Sequence, residues 1–173
     1  VEIDIDSATI KQRYSTTDLK PALNDVVVDS AGNIFVSGSL SNTIYTVRDG
    51  ALITWLRDDE LLKSANGLFI DHDKLVFGGQ RLLFFDLQTK QLISTAPDDL
   101  VDIDGIATDG CDGYIVSLIE DKRLWRMSKS GEATPLSEQA LDGIDFVNYL
   151  GDIFVPRVGG GLSRFSISDS LCK

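Results

Sequence analysis

The sequence predicts an all-β chain of four-stranded antiparallel blades, a β-propeller, on three observations. The first is a repeat. Four segments align on a polar residue followed by a short apolar strand: Leu23-Asn24-Asp25-Val26-Val27-Val28, Ala65-Asn66-Gly67-Leu68-Phe69-Ile70, Ile103-Asp104-Gly105-Ile106-Ala107-Thr108 and Ile144-Asp145-Phe146-Val147. The anchors Asn24, Asn66, Asp104 and Asp145 recur at intervals of about 40 residues, the length of one blade. The second is strand length. Between turn signals the apolar runs are four to six residues long and rich in β-branched and aromatic side chains, which suits a short twisted strand. The third is the lack of a convincing amphipathic helix; the stretch 58–64 reads as a single turn.

Each repeat then resolves into four strands. The first follows the anchor. A turn rich in Gly, Asp and Asn (Asp29 to Asn33, Asp71 to Asp73, Asp109 to Gly113) leads to the second. The third carries a large residue, in turn Tyr45, Phe85, Trp125 and Phe165, and a further turn such as Arg48-Asp49-Gly50 leads to the fourth. The blades read as 23–64, 65–102, 103–143 and 144–173, after a partial blade at 1–22, all in one domain. At the N-terminus Ile3-Asp4-Ile5-Asp6-Ser7-Ala8-Thr9-Ile10 aligns with Phe85-Asp86-Leu87-Gln88-Thr89-Lys90-Gln91-Leu92, so the chain is expected to begin in a third strand and continue through a fourth. The N-terminal strands could complete the last blade and close the ring. The favoured expectation is instead an excerpt of a longer propeller.

Composition bounds the function. Of 173 residues 43% are hydrophobic and 25% charged, as in a globular domain, and no apolar run reaches membrane-spanning length. Sixteen basic against 27 acidic residues give a net charge of −11. That excludes the basic stripe a nucleic-acid binder needs, and suits a solvated acidic surface or cation binding. Cys111 and Cys172 lack metal-site spacing and read as free or incidental thiols. The single histidine, His72, reads as an exposed turn residue, a poor candidate for a catalytic triad.

The anchors are the best functional clue. In a blade the innermost strand is the first, so Asn24, Asn66, Asp104 and Asp145 are expected at the mouth of the central channel. Amide and carboxylate oxygens meeting there would suit a hard divalent cation. The competing expectation is that such residues fix their own turns, as expected for Asp29, Asp71 and Asp109.

The segments around the anchors resemble the senescence-marker protein/gluconolactonase (regucalcin-like) family. Residues 23–38 resemble its N-D-G-x-x-D-x-x-G-x-x-W/F-x-G segment, Ser64-Ala65-Asn66-Gly67-Leu68 its P/S-N-G motif, and Ile103-Asp104-Gly105-Ile106-Ala107-Thr108-Asp109 its P-D-G segment. The resemblance implies a six-bladed propeller, of which about four blades are present here, with a divalent metal at the channel mouth (Ca²⁺ first, with Mg²⁺, Mn²⁺ or Zn²⁺ as alternatives). Carried over, Asn66 and Asp104 are metal ligands, Asp104 is also the general base, and Asn24 contacts substrate. The implied reaction is hydrolysis of a small-molecule lactone or related ester. The chain departs from the pattern: the family's E-G-P ligand motif is missing, and Ala22, Val26 and Ile103 stand where Arg, Gly and Pro are usual. The alternatives are a non-catalytic propeller binding a ligand or protein on its channel face, and an enzyme lineage without activity. Localisation leans towards periplasmic or secreted over cytoplasmic, on acidity and the absence of an initiator methionine.

Overall fold

The computed structural model describes residues 1–138, 140, 141, 143 and 145–166. The chain is an all-β propeller of four blades, with no helix among the described residues. Blade I is β3 (Leu23–Val28), β4 (Ile34–Gly38), β5 (Thr43–Arg48) and β6 (Ala51–Arg57). Blade II is β7 (Leu68–Asp71), β8 (Lys74–Phe77), β9 (Leu83–Asp86) and β10 (Leu92–Thr95). Blade III is β11 (Ile103–Thr108), β12 (Tyr114–Leu118), β13 (Arg123–Met127) and β14 (Ala133–Pro135). Blade IV shows three strands, β15 (Val147–Tyr149), β16 (Asp152–Pro156) and β17 (Leu162–Ser166). Every pairing is antiparallel between chain neighbours, the meander that short turns permit.

The expected N-terminal hairpin is present as β1 (Glu2–Asp4) and β2 (Thr9–Gln12). It mirrors β9–β10 in detail. Asp4 Oδ1 accepts the Ser7 N–H and hydroxyl, and Asp86 Oδ1 accepts the Thr89 N–H and hydroxyl. Ala8 and Lys90 occupy the same left-handed turn position, at φ 53° and 62°. Among the described residues the hairpin forms a sheet of its own and adds no strand to blade IV. The sequence shows no clear fourth strand for the last blade, and residues 167–173, with Ile167 and Cys172, fall outside the described residues. Cys111 takes part in a disulfide, which corrects the free-thiol expectation for it.

Three apolar clusters fill the junctions between blades. The first joins Phe35, Ile44 and Trp55 of blade I to Leu75, Phe77 and Phe85 of blade II. Its aromatic rings meet edge to face: Phe35–Trp55 at 5.5 Å, Trp55–Phe85 at 6.5 Å and Phe77–Phe85 at 6.4 Å between centroids. That geometry places a positive ring edge against a negative face. The second joins Val76, Leu82 and Phe84 to Ile103, Val116 and Met127, and the third joins Ala107, Ile115 and Leu124 to Phe146, Ile153 and Val155. Because strand side chains alternate in direction, each blade contributes one set of residues to each neighbour.

Three of the four large residues of the third strands, Phe85, Trp125 and Phe165, pack into these junctions. Tyr45 and Phe85 are fully buried, and Trp125 and Phe165 are partly so. Their polar tips are tied down alike: Tyr45 OH donates to Ser41 Oγ at 2.8 Å, and Trp125 Nε1 donates to Asp121 Oδ2 at 2.8 Å. The loop before the third strand thus holds the ring that the core needs.

Candidate functional site

The first strands of blades I, II and III start from a sharply bent backbone. Ala22, Ser64 and Asp102, each two residues before an anchor, all lie in the left-handed region, at φ 46°, 56° and 51°. In blades I and III the pairing then slips, between Leu23 and Val26 and between Ile103 and Ile106. These bulges re-aim the anchor side chains and free one backbone N–H in each strand. A buried serine of the second strand takes that N–H. Ser37 Oγ accepts from Asp25 N at 2.9 Å, and Ser117 Oγ accepts from Gly105 N at 2.8 Å. The repeat in Val36-Ser37 and Val116-Ser117 was visible in the sequence, but its meaning depends on a bulge that periodicity does not reveal.

Adjacent first strands come very close. A Cβ on Gly67 would lie 1.7 Å from the Asp104 carbonyl oxygen, and one on Gly105 would lie 2.6 Å from the Phe146 ring. Glycine after the anchor is therefore a packing requirement. It draws Asn66, Asp104 and Asp145 towards one another.

Asp104 is the electrostatic centre. Its half-buried carboxyl is pushed up to about 6, first by burial and then by the charges of Asp145 and Asp25, while Asn66 acts the other way by favouring the carboxylate. Asn66 is 9% exposed, and its Oδ1 has no hydrogen-bond partner among the described residues. A buried amide oxygen left unpaired is costly, so it marks a place where a donor or cation would be favoured.

The other anchors differ. Asn24 is exposed and its Nδ2 donates to Ser39 Oγ at 3.2 Å. In blade I the carboxylate that acts on Asp104 belongs to its neighbour, Asp25, which the sequence repeat did not single out. Asp25 has its own work: Oδ1 accepts the Val26 N–H and Oδ2 accepts the Leu68 N–H of blade II, both at 2.7 Å. Burial nevertheless raises its pKa, opposed by those two bonds. Asp145 is exposed and accepts the Phe146 N–H at 2.7 Å. Among the described residues, no group of three His, Cys, Asp or Glu side chains is set to hold a metal ion by itself.

The acids expected to fix turns mostly do so. Asp29 accepts the N–H groups of Ala31 and Asn33, and buried Asp109 accepts those of Cys111 and Gly113 while pairing with Arg126 at 2.7 Å. Asp71 is different: it accepts the Tyr114 hydroxyl across the junction between blades II and III. His72 is an exposed turn residue, as expected.

The sequence matches no protein-family profile and no curated protein. Similarity is found among solved structures. The extracellular domain of a two-component system from B. thetaiotaomicron superposes with a TM-score of 0.68 at 14% identity, over 88% of this chain and 21% of that one. Virginiamycin B lyase from Staphylococcus aureus gives 0.61 at 14% identity, over 88% and 58%. The WD40 propeller domain of Doa1 gives 0.63 at 16%, over 86% and 52%. The chain therefore spans less than two thirds of these relatives. At such identity the likeness establishes the propeller and no narrower family.

Proposed function

We propose that the channel mouth binds a divalent cation and serves the hydrolysis of a lactone or related ester. The observation that carries this reading is the pair at its centre: the buried, unpartnered Asn66 Oδ1 beside an Asp104 carboxyl raised to about 6. Both donors are oxygens, the kind a hard cation such as Ca²⁺ prefers, and Asn66 and Asp104 would hold it. They form only part of a coordination shell. A bound cation would supply Lewis-acid polarisation of the ester carbonyl. The chain's own contribution is acid–base. Without a bound cation, a carboxylate with a pKa near 6 is ionised at neutral pH yet basic enough to take a proton from water; a cation held by Asp104 would lower that pKa and favour the ionised form. Asn66 orients that carboxylate, and the charge of Asp145 keeps its proton affinity high.

The second reading is a non-catalytic propeller that binds its ligand at the channel face. On the side where substrate would be contacted, Asn24 is engaged with Ser39 and both oxygens of Asp25 are engaged with backbone. An extracytoplasmic location is supported by the disulfide at Cys111, which persists in oxidising compartments, and by the extracellular domain among the structural neighbours.

One experiment separates these readings. Ca²⁺ is titrated into chelator-treated protein by calorimetry while the opening of sugar δ-lactones and aryl esters is followed by proton release. The hydrolase reading expects Ca²⁺-dependent turnover that Asp104→Ala abolishes together with Ca²⁺ binding. Binding without turnover leaves the channel-face binding module. If no divalent ion binds, and Asp104→Ala changes neither stability nor turnover, the metal-dependent reading fails.

A further inference from the structure

A second site lies at the opposite ends of the strands from the anchors, where blades II and III meet. A cavity of about 630 Å³ opens there between β10 and the turn from β13 to β14. Phe84, Tyr114 and Met127 are among its lining residues, as are the backbones of residues 93–97 and 128–131.

The cavity lies at a junction that lacks a bond found at two of the others. Between the N-terminal hairpin and blade I, the Ser15 carbonyl accepts the outward N–H of Leu52 on β6 at 2.9 Å. Between blades I and II, Lys90 reaches from its turn to the Trp55 carbonyl on β6 at 2.9 Å and covers the indole ring at 5.7 Å. At the junction of blades II and III both devices are diverted. The residue equivalent to Ser15 is Pro97, whose carbonyl accepts the Leu100 N–H of its own loop at 3.2 Å. The lysine of the facing turn, Lys129, pairs with Asp112 of its own blade at 3.1 Å. Among the described residues no other strand pairs with the outer side of β10. That strand, Leu-Ile-Ser-Thr, carries no charge or proline; its register slips between Leu92 and Ser94, and Ile93 is 50% exposed.

The geometry points to a peptide-binding cleft: an extended peptide segment lies between β10 and the turn 128–131, bridging the two outer edges with its main chain and setting one apolar side chain over Phe84, Tyr114 and Met127. The chain itself makes the equivalent bridge at the first junction with an extended segment, which is why the occupant is backbone of this kind. Main-chain bonding to a free strand edge supplies affinity, and a pocket for alternate side chains supplies selectivity.

The probe is a synthetic peptide of residues 13–20, Arg13-Tyr14-Ser15-Thr16-Thr17-Asp18-Leu19-Lys20, added to ¹⁵N-labelled protein. The amide shifts should be confined to residues 92–97 and 128–134 and saturate in the sub-millimolar range. Ser130→Trp, which fills the cleft from an exposed turn, should weaken binding by about ten-fold or more; if that variant does not fold, Ser94→Trp replaces it. Binding of a scrambled peptide with equal strength, shifts elsewhere, or insensitivity to the filling variant overturns the proposal. So does occupation of the cleft by an anionic naphthalene dye with no peptide response, which would make it a small-molecule site. Asp104→Ala should leave peptide binding unchanged, so the result is independent of the channel-mouth reading.

Discussion

At the residue scale the informative side chain is Asp104. Its carboxyl holds its proton more tightly in the folded chain than in the unfolded one, where its pKa is the ordinary 3.8. The folded state therefore binds more protons between pH 4 and pH 6. Stability is greatest below that window and falls as pH rises through it. A two-unit shift would correspond to nearly 3 kcal/mol, but the group is half-exposed, and solvent screening brings the expected loss to about 1 kcal/mol. Asp104→Asn should remove the penalty. Urea melts should show the variant about 1 kcal/mol more stable than the parent at pH 7.5 and equal to it at pH 4. A parent whose stability is flat from pH 4 to pH 7.5 would show that the neighbouring charges do not act on Asp104. Replacing Asp25 is expected to change stability in the opposite sense. Its carboxylate accepts the Leu68 N–H across a blade junction, so Asp25→Ala leaves a buried donor unpaired and should cost about 1–3 kcal/mol, read from the shift in the urea midpoint. Here sequence reasoning has a clear boundary. The repeat showed which residues head each blade, but Asn24 and Asp25 sit side by side, and only the bulge between Leu23 and Val26 decides which one faces blade II.

At the element scale the blades were largely legible. Turn chemistry, strand length and the large residue of each third strand are local properties, and the structure keeps them, down to the matched turns of Asp4 and Asp86. What could not be read was how blades face one another, because that depends on atoms far apart in the chain. Nothing in Pro97 or Lys129 taken alone announces that their junction stays open. The close approach of first strands is similar: Gly67 looked like part of a motif, and the structure shows that it lies against the Asp104 backbone. Gly67→Ala cannot be accommodated by a rotamer change, since the obstacle is main chain. It should cost about 3 kcal/mol or more, and a thermal melt should show blades II and III loosening together. Trp55→Ala, which removes the ring shared by Phe35 and Phe85, should cost about 3–5 kcal/mol by the same measurement. A smaller loss for Trp55→Ala than for Gly67→Ala would place the limiting contacts at the channel wall.

At the scale of the whole molecule, the first strand of blade I and that of blade IV each present one face to a neighbour and one to solvent. Val27 of β3 packs into the first cluster, so Val26 and Val28 point the other way and are 57% and 56% exposed. Phe146 packs into the third cluster and Asn148 donates to the Thr108 carbonyl, so Val147 and Tyr149 of β15 point away, 59% and 63% exposed. These faces have the composition of the covered junctions without the cover, and apolar surface of this kind drives association. The net charge of −11 opposes it, because copies of the chain repel at low salt. The balance should therefore turn on ionic strength. In sedimentation velocity the chain should run as a monomer at low salt and gain mass with concentration in about 0.5 M salt, where screening is short-ranged and the apolar term persists. Replacing Val26 and Tyr149 by lysine should abolish the high-salt association while leaving the monomer's melting profile intact, since neither side chain belongs to a cluster. Association that survives both replacements would mean that another surface carries it, and would move attention to the free edge of β10.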